Sequence, residues 1–253
     1  MILLGLWTWT HFYTVIPAFI VFIIAAFVVG KLMKNKSEKI KYIPLQVITV
    51  LLLGLEVGKQ IVSLDGGYNM YSLPFHYCSL FLYLLPLHSF YRGRFRAQVG
   101  AVSFACLSSL FFFMLVMPAI VYSDAAIKEM GSSFMQFHTV VFHNLVCLYF
   151  LLVVAMRLYD FRTKRDLTLM AGFLGVYVVV AAILAHTLKV NFHNLYQCNL
   201  GFVEEIRLSL IEAIGWPAQL IYVSAIFVLT ILFAYLAYFI TKGVLRLIYR
   251  KSV

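Results

Sequence analysis

The stretch Ser72-Leu73-Pro74-Phe75-His76-Tyr77-Cys78-Ser79, followed by the apolar run Leu80 to Leu87, is the part of this chain around which the rest is organised. Proline is favoured at the first position of a helix, where its missing N–H group leaves no hydrogen bond unmade. Pro74 therefore predicts a helix start, and the apolar run predicts that this helix enters a membrane. His76 and Cys78 would then lie in its first two turns. Because polar groups at membrane depth are costly, they indicate a function, with a capping histidine and a thiol packed as a small hydrophobe as the alternative.

The composition excludes an ordinary soluble domain. The chain has 253 residues, of which 63% are hydrophobic and 12% charged, and its mean hydropathy is +0.94. The net charge of +10 would also suit a nucleic-acid-binding protein, but the basic residues lie between the apolar runs, where they determine membrane topology. We therefore predict a polytopic helical membrane protein whose partners are membrane lipids and which binds no nucleic acid.

Seven transmembrane helices are predicted, forming one bundle of the all-α class that takes in the whole chain as a single domain. The spans cover approximately residues 12–30, 43–64, 74–91, 97–121, 134–157, 167–188 and 217–241. The first span lacks a basic leader and is too long for a typical signal-peptide core, so we expect it to be retained. No internal repeat is visible.

Basic residues alternate with the spans. They occupy the first, third and fifth loops and the tail: Lys31, Lys34, Lys36, Lys39, Lys41, Arg92, Arg94, Arg96, Arg157, Arg162, Lys164, Arg165, Lys242, Arg246, Arg250 and Lys251. The other loops are neutral to slightly acidic. Because positively charged loops stay in the cytoplasm, this alternation predicts an N-terminus outside and a cytoplasmic C-terminus.

Six of the seven histidines, all but His88, fall on the predicted outer side, which suggests a polar cavity open to the outer leaflet. His143 is the best candidate for a base because it lies about 13 Å below the start of its span, at a rise of about 1.5 Å per residue. A core histidine bonded to a neighbour is an equal alternative. Glu56 either pairs with Lys59, one turn away, or orients a histidine across the bundle, as carboxylates do for catalytic imidazoles.

The four cysteines are too widely spaced for a disulfide framework or a zinc ribbon. Cys106 and Cys147 lie in apolar surroundings and are expected to be packing residues. Cys78 differs because a helix N-terminus and neighbouring histidines both favour the reactive thiolate. A Cys–His pair of this kind can form an acyl thioester and pass the acyl group to an acceptor.

The sixth loop, residues 189–216, is the longest. Its asparagines can both donate and accept hydrogen bonds, so Asn191 and Asn194, together with His138 and Lys59, are candidates for binding a lipid; turn formation is the alternative role for the asparagines. In the lipid-binding case the loop inserts between the outer ends of the third and fifth spans, with an asparagine at the histidines. Residues 202–214 predict a short interfacial helix, and Trp216 an anchor at the level of the lipid headgroups.

Three segments, in order along the chain, resemble one family: the bacterial YwaF-like integral membrane proteins and their animal relative, transmembrane protein 164. Leu73-Pro74-Phe75-His76-Tyr77-Cys78-Ser79 is similar to the bacterial Leu-Pro-x-His-x-Cys-Ser pattern, and His143, within residues 137–145, matches a family histidine. Val190-Asn191-Phe192-His193-Asn194-Leu195 resembles the animal Val-Asn-x-Asn-Asn, with Gly215-Trp216-Pro217 downstream. The resemblance implies a multi-pass protein of a cell membrane, here the bacterial cytoplasmic membrane.

The resemblance also implies an activity, because the animal protein is regarded as a lipid acyltransferase that moves an acyl chain between phospholipids with a cysteine and a histidine. We expect this chain to need no cofactor. The family cysteine follows a proline directly, and this chain has Phe75 at that position. Cys78 is three residues further on and would lie on nearly the same helix face. Cys78 is thus assigned as nucleophile and His143 as base, with His76 and Glu56 as orienting or charge-stabilising groups.

Two other functions stay open at this stage. A membrane hydrolase could bind catalytic zinc through three of His76, His138, His143 and Cys78, with water as the fourth ligand, although no His-x-x-x-His pair is present. A non-enzymatic lipid or solute binder, or a transporter, is the other possibility. Transporters often carry inverted repeats, and this chain shows none.

Overall fold

The protein is described here from a computed structural model, which covers residues 7–65, 67–199 and 201–249. Within those ranges the regular structure is helical, with no β-strand, as the all-α prediction requires. The α-helices are α1 (Trp9–Met33), α2 (Glu38–Lys41), α3 (Ile43–Val62), α4 (Leu80–Phe90), α5 (Arg96–Val116), α6 (Pro118–Val121), α7 (Asp124–Lys128), α8 (Phe134–Ala155), α9 (Thr163–Leu188), α10 (Gly201–Ile214) and α11 (Trp216–Ile248). Short 3₁₀ turns cover Met70–Ser72, Tyr77–Ser79 and Phe192–Asn194.

Six helices of the described chain are long and apolar enough to cross a membrane: α1, α3 together with α2, α5, α8, α9 and α11. They correspond to six of the seven predicted spans. The predicted fourth span, 97–121, ends early because α5 stops at Val116 and Pro118 starts the separate short helix α6. Proline cannot donate the backbone hydrogen bond that would continue α5.

The predicted third span, 74–91, is wrong as a continuous helix. Its α-helical part, α4, has only 11 residues, and the backbone at His76 is extended, with φ −74° and ψ 157°. One hydrogen bond from α9 and one from the segment's own histidine hold this shape. The Tyr177 hydroxyl donates to the Phe75 carbonyl at 2.9 Å, and the His76 ring Nε2 donates to the Tyr71 carbonyl at 3.1 Å. Pro74 therefore precedes the helix rather than opening it.

The segment 72–90 nevertheless runs alongside α3 for the length of that helix. The Gln60 amide, near the C-terminal end of α3, donates to the Ser72 carbonyl at 2.9 Å. The Gln46 amide, near the N-terminal end of α3, donates to the Ser89 carbonyl at 3.1 Å. The segment is thus antiparallel to α3, although only its second half is α-helical.

Helices α5 and α8 form the centre of the bundle, and α1 and α11 lie at its periphery. Much of the buried face of α5 consists of small residues: Ala101, Ser103, Ala105, Ser108 and Ser109. Small side chains let neighbouring helices approach closely, which replaces the hydrophobic driving force that lipid cannot supply. The central position of α5 therefore follows from its sequence.

The two ends of the bundle differ in charge. At the end that we call the basic end, Arg96 binds Glu38 and Lys242 donates to Thr163, so the predicted basic loops assemble there. Arg250 and Lys251 lie outside the described residues. The other end, which we call the histidine end, carries the interrupted segment before α4, the start of α8 and the loop after α9.

Asp166, near the start of α9, joins several elements at the basic end and is fully buried. Its carboxylate accepts hydrogen bonds from the Tyr238 hydroxyl at 2.9 Å and from the Arg162 backbone N–H at 2.8 Å. It also binds the Arg165 guanidinium at 2.8 Å and the Tyr159 hydroxyl. Asp166 therefore ties α9 to α11 and to the loop that follows α8.

Asp166→Ala should destabilise the fold by about 3–5 kcal/mol, because it leaves the Tyr238 and Tyr159 hydroxyls and the Arg162 N–H without their acceptor, at about 1–3 kcal/mol for each buried group. Asp160→Ala is the matched control. Asp160 pairs with Arg162 at 3.0 Å, but both side chains are largely exposed, so the loss should stay within about 1 kcal/mol. Unfolding in mixed micelles of increasing denaturing-detergent content measures both. Equal stability of the two variants would contradict this role of Asp166.

Candidate functional site

Glu56 is the charged centre of the histidine end. One carboxylate oxygen lies 2.8 Å from the Lys59 ammonium and 2.5 Å from the Gln60 amide nitrogen. Lys59 and Gln60 are three and four residues further along α3, the spacing at which helical side chains meet. The Glu56 and Lys59 side chains are only 12% and 11% exposed, so this pair is largely removed from solvent.

The second oxygen of Glu56 faces a histidine across the bundle. His138 Nε2, on α8, lies 3.3 Å from it, an ion-pair distance without the alignment of a hydrogen bond. Close packing of α3 on α8 brings the two side chains together, since the Phe134 ring lies where a Cβ at Gly58 would be, 2.6 Å from the nearest ring atom. Glu56 therefore contacts Lys59 on its own helix and His138 across the bundle, the two partners that its sequence position suggested.

The interrupted segment places His76 and Cys78 beside this charged pair. The His76 ring packs on Tyr71, with 4.4 Å between ring centroids. The Lys59 ammonium is close enough to act electrostatically on both His76 and Cys78. Cys78 lies in the 3₁₀ turn Tyr77–Ser79, directly before the first turn of α4. A thiolate there would face a lysine and a helix N-terminus.

The comparison of Cys78 with position 75 has to be corrected. Residues 75 and 78 do not share a helix face, because the backbone is extended at His76 and helical only from Tyr77 onward. The Phe75 ring instead packs against Phe192, with centroids 5.9 Å apart. In this chain position 75 therefore belongs to the packing of the outer loop.

His143 lies deeper in α8 and is buried. Its Nδ1 is 2.6 Å from the Thr139 carbonyl oxygen, and because a carbonyl only accepts, Nδ1 carries the proton. The basic lone pair is then on Nε2. His143 is within electrostatic range of His76 and His138. In the described chain no hydrogen bond joins His143 to Cys78, so a direct Cys–His pair is not formed in this structure.

The loop after α9 folds back onto the segment before α4, onto α9 and onto α11, and not between the outer ends of the third and fifth spans as predicted; different residues from those expected reach the site. Phe192 is fully buried, 5.3 Å from the His76 ring. His193 stacks on Tyr77 with centroids 5.4 Å apart, and its Nε2 lies 2.9 Å from the Thr230 hydroxyl oxygen on α11. His193 and Asn194 both have left-handed backbones, with φ of +52° and +56°. This strained turn directs His193 inward.

The expected contact of Asn191 or Asn194 with the histidines is wrong. The Asn191 amide donates to the Asn199 side chain at 3.1 Å, and its oxygen accepts from the Tyr196 N–H at 3.3 Å. The Asn194 carbonyl accepts from the Tyr222 hydroxyl at 2.5 Å. These groups hold the loop in shape, because asparagine bonds readily to nearby backbone and loop groups.

The side chains that a zinc site would need are not brought together. In the described ranges no group of three or more His, Cys, Asp or Glu residues converges on one point. His76 is bonded to the Tyr71 carbonyl, His143 to the Thr139 carbonyl, and His138 faces Glu56. The zinc interpretation is therefore without a geometric basis here.

Several residues of this end were missed in the sequence. Tyr68 donates its hydroxyl to the Gln60 side chain at 2.6 Å, and Tyr71 carries the carbonyl that binds His76. Tyr177, on α9, holds the Phe75 carbonyl. The spacing of Glu56 and Gln60 was a usable signal for Gln60. The tyrosines act through tertiary contacts that no local pattern shows.

The family model that describes the TMEM164 family matches residues 6–238 of this chain, which include every residue of the histidine end named above. The chain belongs to the TMEM164 family. No curated protein and no solved structure matches it. Membership of the TMEM164 family agrees with the resemblance carried by the third, fifth and sixth predicted spans and their loops.

In this TMEM164-family chain, α10 is attached to α11 by a polar contact beside the loop. Arg207 binds Glu204 at 2.8 Å and the Gln219 side-chain oxygen at 2.7 Å, and Gln219 in turn donates to the Leu195 carbonyl at 3.2 Å. The hydrogen bond and charge of Arg207 lower the pKa of Glu204 below its ordinary value of 4.5. The helix predicted at 202–214 is therefore present and anchored to the loop.

Acidification should loosen α10. Because the pKa of Glu204 is lowered in the folded state, its contribution is fully present above the ordinary pKa and is lost as the pH falls through the lowered value. The protection factors of the α10 amides, which correct for the intrinsic pH dependence of exchange, should therefore be constant near neutral pH and fall only below the ordinary carboxyl pKa of 4.5. Glu204→Gln should remove this pH dependence. An unchanged profile in Glu204→Gln would assign the effect to another group.

Proposed function

We propose that this TMEM164-family protein is a phospholipid acyltransferase or transacylase that works through a thioester on Cys78. One observation carries the proposal: the interrupted segment 72–79 places His76 on extended backbone and Cys78 in the 3₁₀ turn that follows, beside Lys59 and the Glu56–His138 contact. Non-helical backbone at membrane depth is tolerated only where protein buries it or where it lines a cavity. An arrangement this costly is typical of a functional site.

In the first half-reaction the Cys78 thiolate attacks the ester carbonyl carbon of a donor phospholipid. A sulfur–carbon bond forms, the bond from that carbon to the glycerol oxygen breaks, and the thiol proton passes through a base to the leaving alkoxide. The products are a lysophospholipid and an acyl thioester. His143 is the proposed base, since its Nε2 carries the free lone pair.

In the second half-reaction an acceptor hydroxyl attacks the thioester carbonyl carbon. The base takes the hydroxyl proton, the new carbon–oxygen ester bond forms, and the carbon–sulfur bond breaks to regenerate the thiolate. Burial of Cys78 opposes the thiolate, and the Lys59 charge offsets part of that cost in both halves. We assign to Glu56 the orientation of His138, and to His76 the stabilisation of charge at the carbonyl oxygen.

Substrate contacts are part of the same proposal. The phosphate of the donor would meet Lys59 and His138, after Lys59 gives up part of its contact with Glu56. Asn191 and Asn194 would act by holding the loop that carries Phe192 and His193 against the site. Cys78 and His143 must approach each other when the substrate enters, because no hydrogen bond joins them in the described structure.

The topology proposed for this enzyme has seven membrane crossings, with segment 72–90 as the third, an external N-terminus, a cytoplasmic C-terminus and a site facing the outer leaflet of a bacterial cytoplasmic membrane. The proposal is supported by the collection of lysines and arginines at one end of the bundle.

A cysteine placed at Lys36 should resist impermeant thiol reagents in intact cells, and one placed at Ser132 should react. The reverse result would place the histidine end in the cytoplasm.

The activity itself is tested with purified protein in vesicles that contain a phospholipid with a labelled acyl chain and an unlabelled lysophospholipid acceptor. The account predicts one labelled acceptor for each lysophospholipid formed from the donor. Release of labelled free fatty acid with no labelled acceptor would instead indicate a hydrolase. Movement of lipid with no change in acyl composition would indicate a transporter.

A further inference from the structure

A cavity of about 520 Å³ lies at the basic end, far from the histidine end. The C-terminal part of α1, the end of α2, the end of α8 and Tyr249 surround it. Four of the lining side chains are cationic and none is acidic: Lys31, Lys34, Lys41 and Arg157. Phe27, Ala155 and Met156 give it an apolar wall.

Among the residues that the structure describes, no carboxylate forms an ion pair with a cation lining this cavity. The acidic residues at the basic end are Glu38, Asp160 and Asp166, and they bind Arg96, Arg162 and Arg165. The cavity therefore concentrates four positive charges, and like charges held together favour an anionic ligand.

The backbone at Arg157 supports this interpretation. Arg157 follows the C-terminus of α8 in a left-handed conformation, with φ +54°, where glycine is the usual residue. The next residue closes the helix end, since the Leu158 N–H bonds to the Val153 carbonyl at 3.0 Å. The guanidinium lies 4.3 Å from the centre of the Tyr249 ring, at the edge of the cavity. Arg157 therefore occupies a backbone conformation that favours glycine, and its side chain contributes a positive charge to the cavity.

The apolar side of the cavity opens toward the exposed apolar surface of α1. Gly30 lets α1 touch α8, since a Cβ there would lie 3.0 Å from the Ala155 carbonyl oxygen. Phe27, one turn before Gly30, is 70% exposed on the outer surface of α1. A ligand with a phosphate at the cations would therefore have its hydrocarbon part beside Phe27. This combination suits an amphiphile and not a free anion.

We propose that this cavity binds the headgroup of an anionic phospholipid, with the phosphate among Lys31, Lys34, Lys41 and Arg157 and the acyl chains along α1. Basic pockets between membrane helices at the positively charged face recognise such headgroups. The site is separate from the thioester chemistry proposed for the histidine end. It holds a lipid as a bound component and not as a substrate.

Native mass spectrometry of the full chain in neutral detergent tests this proposal. The probes are phosphatidylglycerol and phosphatidylcholine with the same acyl chains, and inorganic phosphate as competitor. Wild-type protein should retain phosphatidylglycerol in preference to phosphatidylcholine. Lys31→Gln/Lys41→Gln should weaken that binding about thirtyfold, at about fivefold for each lysine near an anionic lipid. Lys36→Gln/Lys39→Gln removes the same charge from the same loop outside the cavity and should retain the lipid.

Three results would overturn the proposal. Equal losses in the two glutamine pairs would show general surface attraction. Displacement of the lipid by a molar excess of inorganic phosphate would show a simple anion site. Because the lining pair could also alter packing, Lys31→Arg/Lys41→Arg is measured beside it and should keep the lipid. Loss of lipid in that charge-retaining pair would show that the positive charge is not what binds it.

Discussion

Cys78→Ala should abolish acyl transfer, with a loss of roughly 10⁴-fold or more, since removal of a nucleophile that acts with a base eliminates the covalent route. The measurement is the rate of labelled acceptor formation by purified protein in vesicles. Cys198→Ala is the matched control, because Cys198 is also a partly buried free cysteine and lies in the loop of the histidine end. Its backbone N–H binds Glu204, an interaction that an alanine retains.

Wild-type rates in Cys78→Ala would rule out the thioester on this residue. Loss of activity in both Cys78→Ala and Cys198→Ala, with normal size-exclusion profiles, would also contradict the assignment of Cys78 as the nucleophile. The effect would then not be specific to Cys78. Cys106 and Cys147 are fully buried among apolar residues, in agreement with their predicted packing role. They are therefore poor alternatives as nucleophiles.

His143→Gln should lower the rate of acyl transfer by roughly 10²- to 10⁴-fold, the usual contribution of a positioned base. Glutamine keeps a donor and an acceptor but cannot take up the proton from the thiol. The appropriate measurement is single-turnover acylation of Cys78, which isolates the first half-reaction. His186→Gln is the control, because His186 is exposed at the same end and lies 3.3 Å from the Gln219 amide.

A normal acylation rate in His143→Gln would contradict its role as base. If His76→Gln or His138→Gln instead lost acylation, the proton acceptor would be reassigned to that residue. In the described structure the hydrogen bond of His143 is to the Thr139 carbonyl of its own helix, so His143→Gln removes no hydrogen bond between helices.

The long helices could be predicted from the sequence because their apolar runs match the thickness of a bilayer. Some predicted boundaries coincide with the helix ends: α8 begins at Phe134 and α9 ends at Leu188, as predicted. The third span could not be predicted in this way. The extended backbone before α4 is held by the Tyr177 hydroxyl, a tertiary contact that a local pattern does not show, and by a bond from His76 to the Tyr71 carbonyl five residues earlier, which is not a helical spacing.

The contacts of the candidate site were also predictable within one helix and not between different elements. The contacts of Glu56 with Lys59 and Gln60 follow from helical spacing and are visible in the sequence. The contact of Glu56 with His138 depends on how α3 and α8 are rotated toward each other, which a single sequence does not specify. The loop shows this most clearly, because its asparagines bond within the loop while Phe192 and His193 reach the site.

The most direct test of the thioester account is to trap the acyl-enzyme. Purified protein is incubated with a phospholipid that carries a labelled acyl chain, without an acceptor, and is then quenched in acid, digested and examined by mass spectrometry. The account predicts one acyl group on the peptide that contains Cys78, removable by hydroxylamine and absent from Cys78→Ala. Lysophospholipid formation with no acylated cysteine, or with the acyl group on Cys198, would contradict it.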